Sequence, residues 1–145
     1  MLVKFILFLF LTPLFSDSFL FVEDKQMSYK KLNAQEEYVL IKKGTEAPFT
    51  GEYDDFYKNG IYHCKQCDAP LFDSNAKFKS GSGWPSFDED KFGNVKRIID
   101  KDGRRIEIVC KVCGAHLGHV FEGEGFTPKN TRHCVNSISL VFEEK

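Results

Sequence analysis

The chain has 145 residues and a formal net charge of -1, from 20 Lys and Arg against 21 Asp and Glu. That length suits one domain rather than two. Charges so closely balanced supply no broad field toward polyanions, so nucleic acid is not an expected partner. The hydrophobic share of 42% is raised by a phenylalanine-rich N-terminus, and the remainder has an ordinary soluble composition.

Residues 1–22 read as a leader. Lys4 precedes an unbroken apolar run from Phe5 to Leu11, and Ser16-Asp17-Ser18 offers small residues two apart, as at a signal-peptide cleavage site. The run falls short of the roughly 20 apolar residues needed to cross a bilayer, and Thr12-Pro13 interrupts it. Export to a periplasmic or secretory compartment is the expectation. The alternative joins the run to Phe19-Leu20-Phe21-Val22 as an uncleaved membrane anchor. Residues 23–31 are polar and aperiodic, a linker, and the domain is expected to occupy 32–145.

In chain order, a short helix comes first. Asn33 can cap it, Glu36 can bond back to the cap, and Gly44 follows Lys42 and Lys43, which predicts a helix over 34–43. Glycine and proline then recur too often for another long helix, so the rest is expected to be strands and loops, a mainly β protein. Val95–Ile99 and Arg104–Val109 flank Asp102-Gly103 as a hairpin, with Ile106 and Ile108 expected on its buried face and Arg105 and Glu107 opposite. A last strand is expected from Cys134 to Phe142, with Asn136, Ile138, Leu140 and Phe142 on one side and Val135, Ser137, Ser139 and Val141 on the other.

Four of the five cysteines fall into two C-x-x-C units, Cys64-Lys65-Gln66-Cys67 and Cys110-Lys111-Val112-Cys113, the second followed by Gly114. Two thiolates from each would complete one tetrahedral structural zinc site. An oxidising compartment would favour disulfides instead, and one pair alone could be a thioredoxin-like redox motif, although that motif normally opens a helix. The fifth cysteine, Cys134, sits between His133 and Val135 with Arg132 nearby. Cationic neighbours favour a nucleophilic thiolate, whereas a lone cysteine on an apolar strand is more often inert filling. His116-Leu117-Gly118-His119 adds two histidines three apart, suited to acid and base work near neutrality or to metal ligation. Trp84, the only tryptophan, stands on the loop Ser80-Gly81-Ser82-Gly83-Trp84-Pro85-Ser86-Phe87, where it is either core or a binding wall.

Gly83-Trp84-Pro85-Ser86-Phe87, His116-Leu117-Gly118-His119-Val120-Phe121 and Arg132-His133-Cys134-Val135-Asn136-Ser137, interleaved with the two C-x-x-C units, resemble the B-type methionine sulfoxide reductases. Gly44-Thr45-Glu46 and Pro48-Phe49-Thr50-Gly51 are similar to the opening of that family, and the likeness runs over about residues 33 to 142. The resemblance implies two antiparallel sheets with a small N-terminal helix and one structural zinc ion, held by Cys64, Cys67, Cys110 and Cys113 away from the active site. It implies an oxidoreductase acting on the R epimer of methionine sulfoxide, in oxidised proteins and in the free form.

Carried onto this sequence, the resemblance makes Cys134 the nucleophile and a cysteine sulfenic acid the intermediate. His116 and His119 would serve the sulfoxide oxygen, Asn136 and Arg132 would support the nucleophile, and Trp84 and Phe121 would form the substrate walls. Many members carry a recycling cysteine in the loop before Gly-Trp-Pro-Ser-Phe, where this chain has Lys79-Ser80-Gly81-Ser82. With the other four cysteines assigned to zinc, an external thiol reductant, thioredoxin-like or small, is expected, and the protein is expected to act as a monomer. His133 replaces the aromatic residue more usual there and either tunes Cys134 or packs. A zinc-stabilised binding module using the Trp84 loop, and a thiol peroxidase, are the rival functions.

Overall fold

The structure, a computed structural model, describes residues 29–145. The leader and linker through residue 28 lie outside the described residues, and with them the expected signal peptide or anchor. No described helix is long and apolar enough to cross a membrane.

Helix α1 spans Ala34–Leu40. Its start is the expected capping box: the Asn33 Oδ1 accepts from the backbone N–H groups of Gln35 and Glu36 at 2.9 Å each, and Glu36 Oε2 accepts from the Asn33 N–H at 2.8 Å. Its end comes earlier than the expected residue 43. Ile41 is the C-cap, Lys43 rather than Gly44 takes the left-handed conformation (φ 60°), and the Gly44 N–H donates to the Tyr38 carbonyl at 2.9 Å. The Tyr38 ring lies against Gly44, where any Cβ would collide with it. Glycine is needed at that position for close approach.

The strands are β1 (Gly60–Cys64), β2 (Pro70–Asp73), β3 (Lys77–Phe78), β4 (Ser86–Phe87), β5 (Val95–Ile99), β6 (Ile106–Cys110), β7 (His116–Glu122), β8 (Thr131–Val135) and β9 (Leu140–Glu144). They form two antiparallel sheets, ordered β2-β1-β9 and β3-β4-β8-β7-β6-β5. The fold is mainly β, with one α-helix among the described residues.

Two strand expectations need correction. The single strand expected from Cys134 to Phe142 is broken: β8 ends at Val135, a 3-10 turn spans Ser137–Ser139, and β9 belongs to the other sheet. The break has a donor-satisfying cause, because the Glu46 carboxylate accepts the backbone N–H groups of Ser137 and Ile138 that a continuous strand would have given to a neighbour. Cys134 therefore stands near the end of a strand, not at its start. The hairpin β5–β6 forms, with Ile108 buried and Arg105 exposed as expected, but Ile106 is exposed and Glu107 is buried. Glu107 is held inside by Lys43 Nζ at 2.8 Å and His116 Nδ1 at 2.7 Å.

The larger sheet lines up one residue per strand. Phe78, Ser86, Cys134, His119, Glu107 and Ile98 stand opposite one another along one row. Directly opposed residues share a face of the sheet. The adjoining row, which includes Phe87, His133 and Val120, points the other way, into the core between the sheets. There Phe87 stacks on Phe72 with centroids 4.4 Å apart, and Tyr62 meets Phe87 edge-on at 5.0 Å. Full burial of rings this size contributes about 1.5 to 3 kcal/mol each. That packing leaves the Cys134 row on the face turned away from the smaller sheet.

Gly118 on β7 permits the closest approach in this sheet, since a Cβ there would run into the Cys134 carbonyl oxygen of β8. Gly118→Ala is expected to cost about 1 to 3 kcal/mol through backbone displacement. A urea titration should show a lowered midpoint with an unchanged slope.

Candidate active site and thiolate cluster

Each C-x-x-C unit closes as the same small knuckle. Cys64 at the end of β1 donates its N–H to the Ala69 carbonyl and accepts from the Asp68 N–H, at 2.8 and 2.9 Å, and Cys110 at the end of β6 bonds in the same pattern to Ala115 and Gly114, at 2.8 Å each. Asp68 (φ 65°) and Gly114 (φ 79°) occupy corresponding left-handed positions. The four sulfurs all lie within 4.8 Å of one another, with Cys64 to Cys113 and Cys67 to Cys110 both at 3.6 Å. Sulfurs placed tetrahedrally at 2.3 Å around a zinc ion would be about 3.8 Å apart, so the donor set fits that ion. All five cysteines are free thiols, which disfavours the disulfide alternative. Hydrogen bonding of the Cys64 thiol to Cys110 and Cys113, together with burial, pushes that thiol up. Four thiolates held this close would repel one another, and a cation among them would offset the repulsion.

A second feature is a cleft of about 150 Å³ lined by Thr45, Trp84, Arg105, Gly118, His119, Phe121, Cys134, Val135 and Asn136. Of the residues picked out in the sequence, Trp84, His119, Phe121, Cys134 and Asn136 meet here. His116 and Arg132 do not line the cleft. His116 is buried behind His119, ring to ring 5.6 Å, with Nδ1 donating to Glu107. Arg132 shares the face of β8 with Cys134, lies over the Phe121 ring at 4.6 Å, and is gripped by both oxygens of Glu124 at 2.8 and 3.0 Å.

Burial pushes the Cys134 thiol up from its ordinary value, opposed by the Arg132 charge and by hydrogen bonding to Arg132 and Ser82. Ser82 belongs to a small hydroxyl cluster, with Ser80 Oγ 2.9 Å from Ser82 Oγ and 2.8 Å from Ser86 Oγ. His133 faces the core, with Nδ1 donating to the Phe87 carbonyl at 3.1 Å and the ring against Phe72, and desolvation lowers its pKa. It packs and does not face Cys134.

The residue that ties these loops together is Glu46. Its carbonyl accepts the Trp84 indole N–H at 3.2 Å, its N–H donates to Asn136 Oδ1 at 3.1 Å, and its carboxylate holds the turn after β8. Asn136 Nδ2 donates to the Leu117 carbonyl at 3.1 Å, so both ends of that side chain are spent on backbone. Sequence reasoning gave Glu46 no role, nor Glu107, Asp100 and Arg105. Glu107 looked like an outward charge on a hairpin, and only the fold brings it to His116.

Residues 32–144 match the SelR domain. The chain belongs to the SelR-domain family. Among its relatives, a protein of Oryza sativa subsp. japonica named peptide methionine sulfoxide reductase B5 is 54% identical over 112 residues, covering 77% of this chain and 82% of the relative. Peptide methionine sulfoxide reductase MsrB of Alteromonas mediterranea is 49% identical over 116 residues, 78% of this chain and 81% of the relative. A chloroplastic B3 protein of the same rice is 51% identical over 123 residues, 83% of this chain, which spans 54% of that relative's length.

Removing the Arg132 charge should make Cys134 harder to ionise. In Arg132→Met, the pH profile of Cys134 alkylation by iodoacetamide is expected to move to higher pH, slowing the reaction about tenfold at neutral pH. An unmoved profile would show that Arg132 does not act on the thiol.

Proposed function

We propose that this SelR-family chain reduces the R epimer of methionine sulfoxide, in oxidised proteins and as the free amino acid, with Cys134 as nucleophile. The observation that carries the reading is the meeting, in one cleft, of a half-buried thiol, an imidazole directly opposite it on the neighbouring strand and two aromatic walls. The names of the relatives point to the same chemistry.

In the proposed reaction, the Cys134 thiolate attacks the sulfoxide sulfur while the sulfoxide oxygen takes a proton from the His119 imidazolium. The protonated oxygen then passes from the substrate sulfur to the Cys134 sulfur as the substrate's sulfur–oxygen bond and the newly formed sulfur–sulfur bond both break, leaving methionine and a Cys134 sulfenic acid. Cysteine is oxidised by two electrons, the sulfoxide is reduced by two to methionine, and His119 ends neutral. Arg132 beside Cys134 favours the attacking thiolate, and Trp84 with Phe121 receives the methyl group, which selects the epimer by the face of sulfur left open. His116 acts from behind His119, and Asn136 holds the end of β8.

Recycling falls to an external reductant, thioredoxin-like or a small thiol. The other cysteines are engaged in the cluster, and a hydroxyl, Ser82, lies beside Cys134. One outside thiol would displace water from the sulfenic acid to give a mixed disulfide, and a second would release the Cys134 thiolate. Cys64, Cys67, Cys110 and Cys113 would hold one zinc ion as a structural clamp. The chain is read as a monomer, with a leader over 1–22, a linker over 23–31 and the reductase domain over 32–145. The leader is proposed to export the domain, and cell fractionation checks this.

With dabsylated methionine sulfoxide and dithiothreitol, the R epimer should be reduced and the S epimer left, with Cys134→Ser inactive and His119→Ala slower by about 100-fold. Activity surviving in Cys134→Ser would refute the assignment. After a single turnover without reductant, intact-mass measurement should find one added oxygen at Cys134. A disulfide from Cys134 to another cysteine of the chain would refute the external-thiol step. The purified protein should contain one zinc per chain, and chelation should lower its melting temperature; a metal-free protein with an unchanged melt would remove zinc from the account.

A further inference from the structure

The histidines His116 and His119 are each held by a carboxylate, and both carboxylates come from the β5–β6 hairpin. Glu107 takes His116 Nδ1 at 2.7 Å and is itself held by Lys43. Asp100, at the end of β5, takes His119 Nε2 at 2.7 Å and is itself held by Arg105 Nη2 at 3.2 Å. An ionised carboxylate accepts only, so each ring must present an N–H to it. The two rings are thus pinned through opposite nitrogens. For His119 this leaves Nδ1 without a protein partner among the described residues, on a ring that lines the cleft. For His116 it leaves Nε2, which is buried and unpartnered.

The Asp100 link is built into the hairpin tip. Asp102 Oδ1 accepts from the N–H groups of Arg104 and Arg105 at 2.8 and 2.9 Å, and Asp102 Oδ2 takes Arg105 Nε at 2.6 Å, so the arginine that braces Asp100 is itself fixed in place. Arg105 also lines the cleft. The hydrogen bond to His119 holds the Asp100 carboxyl below its ordinary range, consistent with a carboxylate that remains charged while it holds the ring.

We propose that Asp100 is a positioning residue for proton delivery, anchoring His119 through Nε2 so that Nδ1 is the atom presented to the sulfoxide oxygen. This rests on the reading of His119 as the proton donor. In the step itself, the Nδ1 proton passes to the oxygen as the Cys134 thiolate bonds to sulfur, and the Nε2 proton stays on the ring, shared with Asp100. Without that anchor the ring can rotate or present the wrong tautomer, which slows proton transfer and leaves the thiol as it was.

The charged groups around His119 set what a pH experiment reads. They are Asp100, Asp102 and Arg105 from the hairpin, Glu107 from β6 with Lys43 behind it, His116 from its own strand, and Cys134 with Arg132 from β8. Asp100→Asn removes the one negative charge bonded to the ring and leaves Glu107 and the Cys134 surroundings in place.

The test uses the full-length, metal-loaded protein with R-methionine sulfoxide and dithiothreitol. Asp100→Asn and Asp100→Ala are expected to lower kcat roughly 10- to 100-fold with KM nearly unchanged, and to move the alkaline fall of the kcat profile to lower pH. Cys134 alkylation and the melting temperature should not change, and Asp100→Glu should recover part of the rate. Adding Asp100→Asn to His119→Ala should cost little more, because the residues act as a unit. Wild-type activity persisting unchanged in Asp100→Asn would overturn this inference alone, as would a loss matched by slower alkylation and a lower melt. A wild-type protein active on neither epimer would instead overturn the reading of the site on which it rests.

Discussion

The constraint on which the rest depends is the meeting of four sulfurs from two sheets. Cys64 closes β1 of the smaller sheet and Cys110 closes β6 of the larger, and their knuckles bring all four Sγ atoms within 4.8 Å. Closing a loop of more than forty residues costs conformational entropy that grows only slowly with length, so one strong cross-link between distant strands restrains much of the chain at once. The second knuckle also leads into the reactive part of the sheet. The Cys110 N–H bonds to the Ala115 carbonyl, and the next residue, His116, begins β7. Whatever holds the sulfurs together therefore also fixes where the histidine strand starts.

Around that frame the irregular segments are tied by a single residue. Glu46 contributes its N–H, its carbonyl and its carboxylate to two other stretches of chain: its carbonyl to the Trp84 indole, and its N–H and carboxylate to Asn136 and the backbone of Ser137 and Ile138. Burial raises its carboxyl pKa, and the two backbone donors work against that rise. A half-buried acid with this many partners satisfies groups that no strand is present to satisfy. It also holds the tryptophan loop and the end of β8 on opposite sides of one cleft.

Local features were legible in the sequence, and features set by distant partners were not. The capping box needs only Asn33 and Glu36, the knuckles need only their own turns, and the hairpin needs its Asp-Gly turn, so each could be read from a few neighbouring residues. The break after Val135 could not. Asn136, Ile138 and Leu140 alternate with Ser137 and Ser139 as a strand would, and the competing acceptor, the Glu46 carboxylate, lies 91 residues from Ser137. Glu107 misled for the same reason, since its Lys43 partner is 64 residues away. Cys134, His119 and Trp84 stood out as the odd thiol, one of a histidine pair and the lone tryptophan, Asn136 and Phe121 came with the family resemblance, and the fold brings these five into one cleft. His116 is buried behind His119, and Arg132, on the same face as Cys134, lies beside the cleft over the Phe121 ring; no motif records either placement. His133, next to Cys134 in sequence, faces the opposite side of the sheet, as pleating requires of any adjacent residue.

The row that crosses the larger sheet through Ser86, Cys134, His119 and Glu107 ties the placing of these side chains to strand register. A slip of one residue in β8 would turn Cys134 into the interior and bring His133 out in its place, inverting every side chain of the strand together. No intermediate alignment leaves these side chains half in place. Counting thiols that react at the rate of the native cleft therefore counts correctly threaded molecules, so this protein carries its own gauge of folding yield.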